Sequence, residues 1–388
     1  METKVSIEIG SRTTVVACAS VNSNGEVRIN DVEMAPTIGY SDGKIVSEEL
    51  LADLLASLVK RVSHGLCDDG FEIQFVLPWR HLERREHIVK WNKRVKSIDS
   101  DLLSKLAAEC KKEVLLGNGY ELIDMIPSGL NVDGEEQNFL YSIQDSSQIE
   151  LKWAVYIAKN SILDRWAKIF ENLGADSVSF VPAERAYAKA FGGLTVKMPE
   201  YAVVDLGALS ESLFYYRGGM LVYSAFFKVG ANSIDSDIAT AYDIPQNVAT
   251  QLKHQSGEAL LYACKESHVP MPDGINDCKT HGLMTVIQCR MEELYEGVIY
   301  QLQQKGCEQG VEAILVGGGN NLKNSDLLFK LLSRMEVPHL AYDGIEARLD
   351  SVLGVKEFAL AIGAAGAETE DGELKSSGGF WSIFSRRK

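Results

Sequence analysis

A chain of 388 residues with 46% hydrophobic and 24% charged residues has the make-up of an ordinary globular protein and is long enough for two or more domains. Its net charge of −15 argues against nonspecific nucleic-acid binding, and it means that the body of the protein would be repelled by anionic lipid. No apolar run reaches the roughly 18 residues needed to span a bilayer, the start Met1-Glu2-Thr3-Lys4 does not read as a signal peptide, and the seven cysteines form no C-x-x-C pair, which points to reduced thiols.

In chain order, the pattern predicts strands over Lys4–Ile9 and Thr13–Ser20, with Asn24-Gly25 turning the chain into a strand over Val27–Val32. A helix follows over Ser47–Ser63, with Ser47 as N-cap and Glu48 and Glu49 in its first turn. Phe71–Leu77 reads as a buried strand, His81–Lys96 as a strongly charged, solvated stretch, and Asp99–Glu113 as a second amphipathic helix. Strands are expected at Tyr120–Ile126 and Glu150–Ile157, and a helix at Ser161–Leu173. The second half opens with strands at Tyr201–Leu206, Leu213–Tyr216 and Met220–Phe226, the last two joined by Gly218-Gly219. A helix over Asn232–Ala241, a strand over Ala313–Val316 and a helix over Asp326–Met335 complete the prediction. Both halves begin strand, carboxylate-x-Gly, strand, turn, strand, a weak internal repeat that suits a ligand held between two facing units.

The last residues carry a different signal. Ala367–Gly379 is acidic and rich in Gly and Ser, as a tether would be. On a helix, Phe380, Trp381, Ile383 and Phe384 fall within one arc, beside Arg386, Arg387 and Lys388. Aromatics at headgroup depth with cations toward anionic lipid predict a short helix lying in a membrane interface.

Three glycine loops carry the candidate chemistry. Glu8-Ile9-Gly10-Ser11 and Asp205-Leu206-Gly207-Ala208 each place a carboxylate at a strand end and a glycine two residues on. Glycine lets backbone N–H groups approach a phosphate, and the carboxylate would hold a metal ion or its water. Gly317-Gly318-Gly319 after a strand would let a base or ribose lie against bare backbone.

The order of these loops resembles the fold shared by actin, the heat-shock chaperone ATPases and the sugar kinases. Within it the chain is similar to the FtsA cell-division family over nearly its whole length. Gly230, Asn232, Asp237, Ile238, Ala239, Pro245, Ala249, Lys253 and Gly257 fit the family's segment after phosphate loop two, and Glu357–Gly363 resembles its closing helix. Val286–Leu294 resembles the helix that receives the C-terminal tail of FtsZ. Ser97–Asp101, Asp124–Pro127 and Val132–Gly134 resemble a small α/β insertion module. Two departures stand out. The second phosphate loop reads Gly207-Ala208-Leu209-Ser210-Glu211 in place of a glycine run, leaving Glu211 near a phosphate, helping to hold Mg2+, or pointing into solvent. Leu77-Pro78-Trp79-Arg80-His81 replaces a Gly/Ser-rich turn at a possible subunit contact.

The resemblance implies an α/β, actin-like fold of two facing halves around a nucleotide cleft. Subdomain 1A would cover 1–72 and 162–200, the insertion module 73–161, subdomains 2A and 2B 201–366, a linker 367–379, and a membrane-targeting helix 380–388. It implies ATP with Mg as cofactor, bound by Gly10, Ser11, Arg12, Asp205, Gly207, Gly230, Asn232, Lys253, Gly317, Gly318 and Gly319, with the ion at Glu8 and Asp205. Arg290, Glu293 and Leu294 would receive the FtsZ tail, and residues from Phe380 to Lys388 the lipid. Glu184 and Arg185 would belong to the hinge and cleft, and no residue is assigned a catalytic role. The implied function is an adaptor that binds ATP, polymerises into filaments, hydrolyses ATP weakly at most, and anchors the FtsZ ring at the inner face of the cytoplasmic membrane. Its partners would be FtsZ, further copies of itself, lipid and other division proteins, with no nucleic acid. The alternatives are a PilM-like cytoplasmic adaptor of a pilus or secretion machine and, from another class, a small-molecule kinase or ATPase of the same superfamily.

Overall fold

The structure, a computed structural model, describes residues 2–23, 26–63, 70–141, 145–191, 199–271, 277–307, 311–342 and 344–367. The expected turn at Asn24-Gly25, the linker after Ala367 and the membrane-facing residues Phe380, Trp381, Ile383, Phe384, Arg386, Arg387 and Lys388 lie outside the described residues.

The first half is built on β1 (Glu2–Ile9), β2 (Thr13–Val21) and β3 (Val27–Pro36), an antiparallel meander with almost every β2 side chain buried. A small hairpin of β4 (Tyr40–Ser41) and β5 (Lys44–Ile45) leads to α1 (Glu48–Ser63). Ser47 caps that helix, its Oγ accepting from Leu50 N at 3.3 Å, and Leu51, Leu55, Leu58, Val59 and Val62 form its buried stripe. β6 (Glu72–Val76) then pairs in parallel with β1.

The insertion follows as β7 (Leu82–Trp91), α2 (Ser100–Glu113), β8 (Tyr120–Val132), β9 (Glu135–Gln137) and β10 (Ile149–Lys159), a sheet in the order β7-β10-β8-β9 with its own core around Trp153 and Leu106. The charged run therefore contains a ten-residue edge strand. Its ions pair along and across the sheet, Arg84 with Glu86 and Lys90 with Glu150, and charged edges resist pairing with other chains. The chain returns through α3 (Asn160–Glu171) and β11 (Ser177–Val181) to α4 (Ala183–Phe191). Arg185 of α4 clamps the insertion, donating to both oxygens of the fully buried Asp124 at 2.7 and 2.9 Å.

The second half repeats the first. β12 (Glu200–Leu206), β13 (Glu211–Arg217) and β14 (Met220–Phe227) form an antiparallel meander. They are followed by α5 (Asn232–Tyr242), α6 (Gln246–Ser256), the small pair β15 (His268–Pro270) and β16 (Asp277–Lys279), and α7 (Thr280–Gln304). β17 (Glu312–Val316) then pairs in parallel with β12, as β6 does with β1. α8 (Ser325–Ser333) ends two residues earlier than the sequence predicts, because Arg334 takes a left-handed conformation.

The chain rejoins the first sheet near its end. β18 (Ile345–Ala347) pairs in parallel with β3, giving the first sheet the order β11-β6-β1-β2-β3-β18. Beyond α9 (Asp350–Leu353), α10 (Ala359–Ala365) packs on α4 and the first sheet, with Ser6 Oγ donating to Ala361 O at 2.7 Å. The cause is close packing of small residues: a side chain at Gly363 would strike the Ala186 carbonyl.

Candidate functional site

The two meanders turn by the same device. Gly10 N–H donates to Thr13 O at 2.9 Å, and Gly207 N–H donates to Ser210 O at 2.9 Å. A Cβ on Gly10 would lie 2.7 Å from Thr13 O and one on Gly207 would lie 3.1 Å from Ser210 O, so both turns depend on bare backbone. The third loop closes over them. Gly317 has φ +83°, and a Cβ there or at Gly319 would lie 2.8 Å from Leu206 O. Asn320, fully buried, holds this loop: its Nδ2 donates to Val204 O at 3.1 Å and Val316 O at 2.5 Å, and its Oδ1 accepts from Tyr295 at 2.7 Å.

Together the loops border one cleft of about 590 Å3 between the halves. Glu8, Gly10, Ser11, Arg12, Asp205, Gly207, Asn232, Lys253, Gly317, Gly318 and Gly319 all line it. Gly230 does not. It braces the second loop from behind, where a Cβ would sit 2.6 Å from both Gly207 O and Ser210 N. The substituted loop position is also resolved: Glu211 is 1% exposed and lies outside the lining, on the strand face that carries the buried Leu213 and Tyr215. It reaches neither phosphate space nor solvent. Burial, reinforced by Asp205, pushes its carboxyl up to about 8.

The cleft floor is acidic. Burial raises Glu8, with the neighbouring Asp205 and Glu357 adding to the shift, and burial raises Asp205 to about 6 although Tyr187 donates to it at 3.0 Å. Glu8 Oε2 is buried without a hydrogen-bond partner, an orphan acceptor suited to a cation or its water. Among the described residues no three His, Cys, Asp or Glu side chains form a complete metal site. The cations are on the walls. Lys253, 5% exposed, is no solvated helix lysine; its Nζ lies 2.7 Å from Asp235 and burial lowers its pKa. Arg12 reaches from the first half to Asp235 at 3.2 Å. Trp79, expected near a subunit contact, lines the cleft and stacks on Phe226 of the opposite half, with ring centroids 5.1 Å apart.

The second predicted site is not open in the same way. Arg290 donates to both oxygens of Asp237 on α5, at 2.6 and 3.1 Å, and to Glu293 at 2.5 Å. Leu294 is 4% exposed and belongs to the second-half core, so it offers no surface to a peptide. Sequence reasoning missed Asp235, Asn320, Tyr187 and Glu357. Only Asp235 gave a usable signal, lying one turn after Asn232 on a helix already placed beside the phosphate loops.

The family model described as Cell division protein FtsA matches residues 202–363. The FtsA of Escherichia coli K12 is 22% identical over 324 residues, 81% of this chain and 76% of its own length. The FtsA proteins of Borreliella burgdorferi and Bacillus subtilis are each 20% identical, over 81% and 82% of this chain and 78% and 73% of their own lengths. The chain is similar to FtsA proteins over most of its length. Solved structures give the matching fold. A chain of the PilM-PilN type IV pilus biogenesis complex superposes with a TM-score of 0.64 at 16% identity, covering 95% of this chain and 98% of its own. MreB5 of Spiroplasma citri bound to ADP superposes at 0.51 and 13% identity, covering 94% and 95%. The chain thus has an α/β, actin-like fold, and no described helix is long and apolar enough to cross a membrane.

Proposed function

We propose that this protein binds ATP with Mg2+ in the cleft and acts as a filament-forming adaptor that ties the FtsZ ring to the inner face of the cytoplasmic membrane. The observation that carries the reading is the convergence of two matching glycine turns and the Gly317–Gly319 loop on one cleft. In it, Gly10, Ser11, Arg12 and Gly207 would meet phosphates, Asn232 and Lys253 would flank them, and Gly317 to Gly319 would lie against the adenosine. Glu8 and Asp205 would hold Mg2+ directly or through water, with phosphate oxygens completing its shell. The ion would screen the phosphate charge from the acidic floor. The wall beyond the turns carries the rings of Phe214, Phe226 and Trp79.

Attachment to lipid would rest on residues 380–388, each copy weakly and a filament firmly, since linked weak contacts gain roughly 100-fold or more in avidity. The test is co-sedimentation with anionic liposomes and FtsZ, with and without Mg-ATP, comparing the full chain with one ending at Gly379. The full chain should carry FtsZ into the pellet and the shortened chain should leave it in solution.

A second reading has an observation of its own. Arg290 is tied to Asp237 and Leu294 is buried, so the face expected for the FtsZ tail is committed to internal contacts. If the chain pellets with lipid while FtsZ stays behind, an adaptor for a pilus-type or secretion machine gains. Turnover of ATP with a small-molecule acceptor would favour the kinase alternative instead.

A further inference from the structure

Two cations look onto the phosphate end of the cleft from opposite halves, Arg12 in the β1–β2 turn and Lys253 in α6, and one carboxylate holds both. That carboxylate is Asp235, fully buried in α5. It lies 2.7 Å from Lys253 Nζ, takes a hydrogen bond from Thr250 Oγ1 at 2.9 Å and pairs with Arg12 Nη2 at 3.2 Å. Arg12 alone comes from the first half.

We propose that Asp235 is a built-in stand-in for phosphate, a positioning residue that draws Arg12 across the cleft and yields it to the terminal phosphates of an incoming nucleotide. The inference rests on the nucleotide reading of the cleft. Guanidinium pairs with carboxylate and phosphate through the same fork of donors, so one partner can replace the other. The two cations are unequally free. The Arg12 side chain is 40% exposed and can swing, whereas that of Lys253 is 5% exposed and also anchored to Ala231 O at 3.2 Å. When Arg12 leaves, Lys253 still neutralises Asp235, so the exchange strands no buried charge. The Trp79–Phe226 stack joins the halves elsewhere along the cleft without charge, whereas the Arg12–Asp235 contact is one that anions can address. A ligand must outcompete Asp235 for Arg12, so affinity should rise with the number of terminal phosphates.

The experiment uses the full chain as wild type, Asp235→Asn and Arg12→Gln. Small-angle scattering without nucleotide reads the latch, and calorimetric titration with Mg-ATP and Mg-ADP reads the exchange. Both variants should show a larger radius of gyration than wild type when empty. Asp235→Asn should bind Mg-ATP about tenfold more tightly, because the competitor is gone and the competent state no longer has to be released. Arg12→Gln should bind it more weakly. Unchanged scattering in both variants overturns the latch, and weaker Mg-ATP binding by Asp235→Asn overturns the exchange. If Asp235→Asn does not fold, Arg12→Gln still decides the latch, since it leaves the Asp235–Lys253 pair intact. Should wild type bind neither nucleotide, the reading of the cleft fails together with the exchange, and the scattering still judges the latch by itself.

Discussion

The cleft and the α5–α7 face were both expected to bind a partner, and they part company in the structure. In the cleft the expected residues act mainly through backbone: Gly10 and Gly207 turn two strands by one hydrogen bond each, and Gly317 and Gly319 leave no room for a side chain. On the α5–α7 face the expected residues act through side chains, and those are already engaged, Arg290 by Asp237 and Glu293, and Leu294 by the core. A glycine constrains its own neighbourhood wherever it is placed. An arginine takes whichever carboxylate the tertiary fold brings near, and here that is one 53 residues away.

The comparison is broken most directly at Asn320. Asn320→Ala removes the side chain that ties the third loop to β12 and β17 and leaves the buried Tyr295 hydroxyl without its acceptor. It should destabilise the protein by about 3 kcal/mol in urea denaturation and weaken Mg-ATP binding with it. Full stability would mean that the loop is held by its glycines alone.

A second prediction concerns pH. The Glu211 carboxyl is raised from its ordinary 4.5 to about 8, so between those values the folded protein keeps a proton that the unfolded chain releases. Stability contributed by that proton is present below the ordinary value and is lost as pH rises toward 8. Glu211→Gln should flatten the fall in melting temperature between pH 5 and about 8, and an unchanged slope would show that Glu211 is ionised in the fold. Trp79→Ala comes next. Loss of its stack on Phe226 should cost about 1 kcal/mol beyond the area exposed, read as a lower melting temperature, and Trp79→Phe should restore most of it.

The smallest effect on stability sharpens the other side of the comparison. Asp237→Asn weakens a partly exposed pair and should cost about 1 kcal/mol or less. It also loosens Arg290 from α5, leaving its pair with Glu293. If the face can receive an acidic tail, an FtsZ C-terminal peptide should bind Asp237→Asn more tightly than wild type in fluorescence anisotropy and bind Arg290→Ala least. Equal binding by all three would assign Arg290 a purely structural role.

Much of the fold was legible because it is local. The strand–turn–strand openings of both halves, the Ser47 cap, the helical stripe of α1 and the three glycine loops follow from periodicity and from what a backbone without Cβ can do. Their order was enough to indicate two facing halves around a cleft. Less legible was β7, whose alternation is hidden by charges that make sense only once Glu150 lies opposite Lys90. The three residues of β18 carry too little pattern to announce a sixth strand, and the open edge of β3 decides where they go.

What the sequence determined by itself was the set of elements, the repeat and the places where backbone must approach backbone. Tertiary structure alone decided that Glu211 turns into the core, that Gly230 braces a loop instead of lining the cleft, that Arg12 crosses to Asp235 and that α10 returns to the first half. The reason is range. Backbone geometry is fixed within a few residues, whereas the partner of a buried charge and the seat of a small-residue helix are chosen among segments hundreds of residues apart, by which of them pack together without leaving a charge unpaired or a void.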